Sequence, residues 1–119
     1  MASSGLHGPY DLTIENIDDV VRGKGPGAYA LGNSSAQGAT FVIRCVGRSD
    51  DDLNARLKKW VGRKYPQFKY RLMDSSKAAF EKECQLFHDF GETATLDNEV
   101  HPARPKGSDW KCPRCNIFR

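Results

Sequence analysis

The 119-residue sequence has no apolar run approaching the roughly 18 residues that cross a bilayer. It opens Met1-Ala2-Ser3-Ser4-Gly5, without a charged stretch followed by an apolar one. No secretory leader is read there, and a cytoplasmic protein that avoids membranes is expected. Cysteine is scarce, with only Cys45, Cys84, Cys112 and Cys115. Without an oxidising compartment, a Cys-x-x-Cys pair points to metal or redox chemistry before a disulfide framework. Internal repeats are absent, which sets aside a solenoid. Net charge is only +3, so the chain as a whole is no polycation. Hydrophobic residues make up 39% and aromatics 10%, which suits one folded domain with a modest core.

The charge is unevenly spread. Of 18 basic residues, seven fall between Leu53 and Met73 (Arg56, Lys58, Lys59, Arg63, Lys64, Lys69 and Arg71) with no acid among them. The remaining 11 face 15 acidic residues. A local excess of this kind is either a solvated face or the footprint of an anionic partner, with a polyphosphate backbone the first candidate.

Along the chain, residues 1–24 read as a polar lead-in with one short helix from Thr13 to Val21. Gly25-Pro26-Gly27 marks a turn. A short strand from Ala28 to Leu31 and a second from Thr40 to Val46 form a hairpin, and a break is expected at Gly47. Ser49 caps a helix with Asp52 completing a capping box, and Leu53, Leu57, Trp60 and Val61 share one face. Gly62 ends it. Phe68, Tyr70 and Leu72 alternate with Lys69 and Arg71 as a third, half-buried strand. Asp74-Ser75-Ser76 opens a second long helix that reaches Phe90 and stops at Gly91. The expected fold is α+β: a small three-stranded antiparallel sheet in the order β-β-α-β-α, flanked by helices. Residues 25–98 form the core, and residues 99–119 an irregular tail.

The second long helix carries one residue out of place. With Ala79 at zero and about 100° per residue, Leu86, Phe90, Phe87 and Phe80 span about −20° to 100°. Glu83 falls at about 40°, inside that apolar arc. A carboxylate there costs several kcal/mol unless it is paired or holds a cation. A buried salt bridge, with Arg56 the candidate partner, is one solution. A hard divalent ion at the floor of a cleft is the other. Arg56 borders the apolar stripe of its own helix, where it can either cover apolar surface with its stem or offer two parallel donors to a phosphate.

The tail contains Cys112-Pro113-Arg114-Cys115, a tight turn of the kind that grips Zn²⁺ with two thiolates. The other two ligands must come from elsewhere. Cys84 and His88, at i and i+4 on the second long helix, complete the favoured set, with His101 as the alternative ligand. A redox pair is less consistent with a position outside any helix start.

In order, these residues resemble the GIY-YIG nucleases. That family carries Gly-Ile-Tyr on one strand and Tyr-Ile-Gly on the next, then an arginine, a glutamate and an asparagine. Gly27-Ala28-Tyr29 matches the first element and Cys45-Val46-Gly47-Arg48-Ser49 the second. Arg56 follows Gly47 with eight residues between. Ala79 to Glu83 matches the segment that carries the family's metal-binding glutamate, and Asn98 is the candidate asparagine. Cys45 departs from the family's second tyrosine, and Ala28 from its isoleucine. The resemblance spans residues 26–98.

It implies a metal-dependent endonuclease acting on DNA phosphodiester bonds. Tyr29, Arg56, Glu83 and Asn98 would be its catalytic residues, and Mg²⁺ or Mn²⁺ would sit on Glu83. It further implies that Tyr29 orients or deprotonates the attacking water, a base role needing a pKa lowered by cationic neighbours, which Arg48, Arg56 and the metal could supply. Arg48, Lys58, Lys59, Arg63 and Lys64 would meet the DNA, and a structural Zn²⁺ would brace the tail. At this size a homodimer is one source of added specificity. Competing readings are a non-catalytic, zinc-containing nucleic-acid-binding module and a zinc-tailed protein-interaction domain.

Overall fold

The computed structural model describes residues 5–34, 40–98, 101–104 and 107–114. The elements run β1 (His7–Asp11), α1 (Ile14–Val20), β2 (Gly27–Ser34), β3 (Phe41–Ser49), α2 (Leu53–Lys58), β4 (Gln67–Leu72), α3 (Ser76–Asp89) and α4 (Glu92–Thr95). The class is α+β, as the patterning implies. The sheet has four strands rather than three, all antiparallel, in the order β1-β4-β2-β3. The added strand comes from the polar lead-in. His7-Gly8-Pro9-Tyr10-Asp11 has no alternating apolar pattern because it lies at the sheet edge, where only Tyr10 leans on the core.

Alternation along β2 sorts the core into two layers. Tyr29 and Leu31 face α1 and α2, where Ile17, Leu53, Leu57, Tyr65 and Phe68 gather. Ala28 and Ala30 face α3, against Leu86 and Phe87. The small side chains let α3 lie close to the sheet. The helices therefore sandwich the sheet from opposite sides, and β3 forms its other edge.

A bulge shapes that edge. Leu31 pairs with Cys45 but Gly32 pairs with Ile43, which leaves Arg44 as the extra residue. Any Cβ on Gly32 would collide with the Val42 carbonyl, so glycine is required there. The Arg44 carbonyl accepts from the Asp97 N–H at 2.6 Å. The chain after α4 is thereby drawn back along β3.

The break expected at Gly47 is not seen: β3 runs on to Ser49. Glycine serves packing here instead. Gly47 stands opposite Tyr29, and a Cβ would run into the ring carbon Cζ and the hydroxyl of Tyr29. Ser49 does not cap α2 but makes the turn before it, its Oγ accepting from Asp52 N–H at 2.9 Å. Asp52 is the cap, accepting from Ala55 N–H at 3.2 Å. The helix stops at Lys58, short of Gly62. By contrast α3 follows its sequence signals, with Ser75 capping Ala78 N–H and Gly91 in the left-handed region at φ 105°.

Candidate active-site cleft and metal-ligand cluster

A cleft of about 1050 Å³ opens along the β3 edge. Tyr29 from β2, Arg56 from α2, Glu83 from α3 and Asn98 from the segment after α4 all line it. Arg48, Lys59 and Cys45 line it as well. Four residues up to 69 positions apart in sequence thus share one cavity. Sequence reasoning missed part of the wall: Lys24, Trp60 and the turn Asp50-Asp51-Asp52. Trp60 lay hidden as an ordinary member of an apolar stripe, and the aspartates as helix-capping residues.

Glu83 is buried, with 8% exposure. Its partner is Arg48, not Arg56: Nη1 of Arg48 donates to Glu83 Oε1 at 2.7 Å. Arg48 also donates from Nε to Asp50 Oδ1 at 2.8 Å and lies over the Phe80 ring. Its register explains this reach. Arg48 stands opposite Ala28, so it projects toward α3. Burial raises the Glu83 pKa above the usual carboxylate value, and the Arg48 charge opposes that rise. Arg48 is therefore a clamp between two carboxylates rather than a free phosphate-binding residue.

Tyr29 is buried on the α2 side, and its hydroxyl accepts a hydrogen bond from Trp60 Nε1 at 3.0 Å. Burial raises its pKa above 10, although Arg56 and Trp60 pull the other way. Arg56 alone does not bring the expected lowering, because desolvation outweighs it, and Arg48 turns to Glu83 instead. At neutral pH Tyr29 is a hydrogen-bond donor. Cys45, in the place of a second tyrosine, is pushed up to about 11 by burial and stays a neutral thiol. Asn98 has both amide groups engaged: Oδ1 accepts from Val46 N–H and Nδ2 donates to the Val46 carbonyl, each at 2.9 Å. It caps the open edge of β3 as another strand would.

The basic residues separate. Arg56 is exposed on the cleft wall, beside Lys59. Lys58 instead pairs with Asp18 at 2.7 Å and Lys64 with Asp97 at 3.1 Å. Arg63 is exposed but does not line the cleft. Of the five expected nucleic-acid contacts, three are held by carboxylates.

On the far side of α3, Cys84, His101 and Cys112 each offer a ligand atom, all within 4.8 Å of one another. This group could hold a metal ion. Cys115 lies outside the described residues. His88, the favoured imidazole, is not in the group: its Nδ1 pairs with Glu92 at 2.5 Å and its Nε2 meets His101 Nε2 at 3.1 Å. His101 is placed by the chain's return over α3, which no helical spacing announces. Its Nδ1 lies 2.8 Å from the Pro102 carbonyl, which fixes that nitrogen as the donor and leaves Nε2 with the lone pair. Cys84 and Cys112 pack with Phe80 and Trp110. Burial, then the neighbouring Cys112, raises the Cys84 pKa, so a thiolate there requires a cation.

No helix among the described residues is long and apolar enough to cross a membrane. Comparison with protein-family models, with curated proteins and with solved structures finds no match to this chain.

Proposed function

We propose that this chain is a metal-dependent endonuclease that hydrolyses DNA phosphodiester bonds in the manner of the GIY-YIG family its motifs resemble. One observation carries the reading: Tyr29, Arg56, Glu83 and Asn98, picked out by motif order, come from four separate segments and line a single cleft. Glu83 is the ligand for Mg²⁺ or Mn²⁺, and the fit is chemical, since a buried carboxylate at a cleft wall suits a hard cation. When bound, such an ion supplies Lewis acidity toward the scissile phosphate and its leaving oxygen.

The chain's own residues do the rest. Arg56 presents a guanidinium to the phosphate and stabilises charge that builds there. Tyr29, with Trp60 donating to its oxygen, keeps its own proton to donate and so orients the attacking water rather than deprotonating it. Asn98 holds the backbone of β3 at Val46, and through it the strand that bears Gly47 and Arg48. Arg48 favours the ionised form of Glu83. Lys24 and Lys59 attract the polyanion to the cleft. A structural Zn²⁺ is the ion that suits Cys84, His101 and Cys112, two thiols and an imidazole, with Cys115 as the fourth candidate ligand.

A second reading has its own support. The Arg48–Glu83 pair satisfies the buried carboxylate without any cation, which favours a non-catalytic, zinc-containing nucleic-acid-binding module. Incubation with labelled single- and double-stranded DNA, with and without Mg²⁺ or Mn²⁺, separates the two. The nuclease reading expects metal-dependent cleavage that Glu83→Gln lowers by about 100-fold or more while DNA binding persists. Cleavage by that variant at the wild-type rate, or no cleavage by the wild type with either metal, overturns it.

A further inference from the structure

The basic run between Leu53 and Met73 divides between two faces of the molecule. Arg56 and Lys59 line the cleft. On β4, Arg71 stands opposite Ala28, whose side chain belongs to the α3 layer. Side chains directly opposite across an antiparallel pair share a face. Arg71 therefore projects on the α3 side, where it meets Lys82 and Gly5.

Gly5 is the centre of this arrangement. Its backbone is left-handed, at φ 68°. A Cβ built on it would lie 3.1 Å from Lys82 Nζ and 3.9 Å from Arg71 Nη1. The two cations thus converge on Gly5 closely enough that even a Cβ there would be crowded by Lys82. Arg71 Nη1 also donates to the Gly5 carbonyl at 3.4 Å, which holds it there. Arg114 adds a third positive charge along the same helix, its Nη2 3.3 Å from Asp89, which lies two turns after Lys82 on α3.

Lys82 is half-buried, and no hydrogen bond or ion pair holds its ammonium among the described residues. Three cations and one carboxylate leave this face with a net positive charge that attracts an anion. Guanidinium and ammonium donors converging from different elements suit a group with several oxygens around one centre, which is a phosphate. Lys82 precedes Glu83 on α3, and successive side chains on a helix diverge by about 100°. Glu83 lines the cleft, and Lys82 does not.

We propose that Arg71, Lys82 and Arg114 form a second phosphate site, outside the cleft, that grips the backbone of the nucleic acid whose scissile bond enters the cleft. The proposal rests on the nucleic-acid part of the function proposed above. Its occupant is a backbone phosphate, because the site shares α3 with the cleft and a strand held at both points is fixed across that helix. Free phosphate would bind the same donors but would give no dependence on Arg56.

The test is equilibrium binding of a labelled DNA duplex and single strand, without divalent metal, across a salt series. Lys82→Gln and Arg71→Gln are each expected to weaken binding by about threefold to tenfold and to lower the slope of log affinity against log salt by about 1. Lys82→Arg keeps the charge and restores affinity. Lys77→Gln, on the same helix but outside the cluster, changes it less. Because Lys82 is half-buried, thermal melting accompanies each variant, and Arg71→Gln, at an exposed position, carries the result if Lys82→Gln does not fold. Wild-type affinity and slope in a folded Arg71→Gln overturn the site, even if DNA is cleaved. Wild type that binds DNA but never cleaves it, with the loss still seen in Lys82→Gln, keeps the site and overturns the nuclease reading. Inorganic phosphate binding lost in Lys82→Gln while DNA affinity stays at wild-type level overturns the backbone occupant.

Discussion

Gly47→Ala places one methyl group where the buried Tyr29 ring already stands. The new Cβ would meet Tyr29 Cζ and its hydroxyl oxygen well inside van der Waals contact. Neither side can yield cheaply. Gly47 lies within the β2–β3 ladder, and Tyr29 is 2% exposed with Trp60 bonded to its oxygen. Overpacking of a core costs about 1–3 kcal/mol, and loss of the Trp60 bond adds about 1 kcal/mol. A destabilisation of about 2–4 kcal/mol follows. At roughly 4 °C per kcal/mol for a domain of this length, Tm falls by about 8–16 °C. Thermal melting and urea unfolding followed by circular dichroism measure it. Tyr29→Leu removes both atoms that the methyl group meets, so the double variant should be more stable than the two single losses predict, by at least about 0.5 kcal/mol. A Gly47→Ala protein that melts with the wild type, or a strictly additive double variant, would refute the steric account of this glycine.

Arg56→Ala should lower cleavage by about 100-fold or more, because Arg56 is exposed on the cleft wall. Lys58→Ala should stay within about threefold, because Lys58 is held by Asp18 away from the cleft; equal losses would reduce both to general electrostatics. Elemental analysis of protein purified without added metal should find one Zn²⁺ per chain. Cys112→Ser and His101→Gln should lose it and melt earlier, whereas His88→Gln should retain most of it, since His88 is paired with Glu92. Zinc kept by His101→Gln and lost by His88→Gln would reverse that ligand choice.

The sequence made some of this legible because the relevant signals are local. The apolar arc of α3 identified its buried face, and Ser75 and Gly91 marked its ends. Glu83 stood out for the same reason: one acid inside an apolar arc needs only a helical period to be noticed. Its partner did not follow, because Arg48 reaches it through strand register, which no helical wheel contains. The edge strand β1 was hidden by lacking the alternation that burial imposes. The glycine at 47 reads as a break on propensity alone, and only the cross-strand position of Tyr29 gives it a packing reason. His101 joins Cys84 and Cys112 through a return of the chain over α3, while His88 has the right spacing but turns to Glu92.

These features meet on α3. Glu83 and Cys84 are consecutive, yet one lines the cleft and the other joins the sulfur cluster on the far side. Phe80, one turn earlier, touches both regions: its ring lies beneath the Arg48 guanidinium and packs against Trp110 of the tail. Trp110 in turn packs against the Cys84–Cys112 cluster. The order of the tail and the aim of the Glu83 carboxylate therefore share a single aromatic support. A helix that carried only the acid would need other packing to hold Arg48 in place. Here the tail supplies it, which gives residues 101–104 and 107–114 a reason to fold back over α3 although neither described stretch is helix or strand.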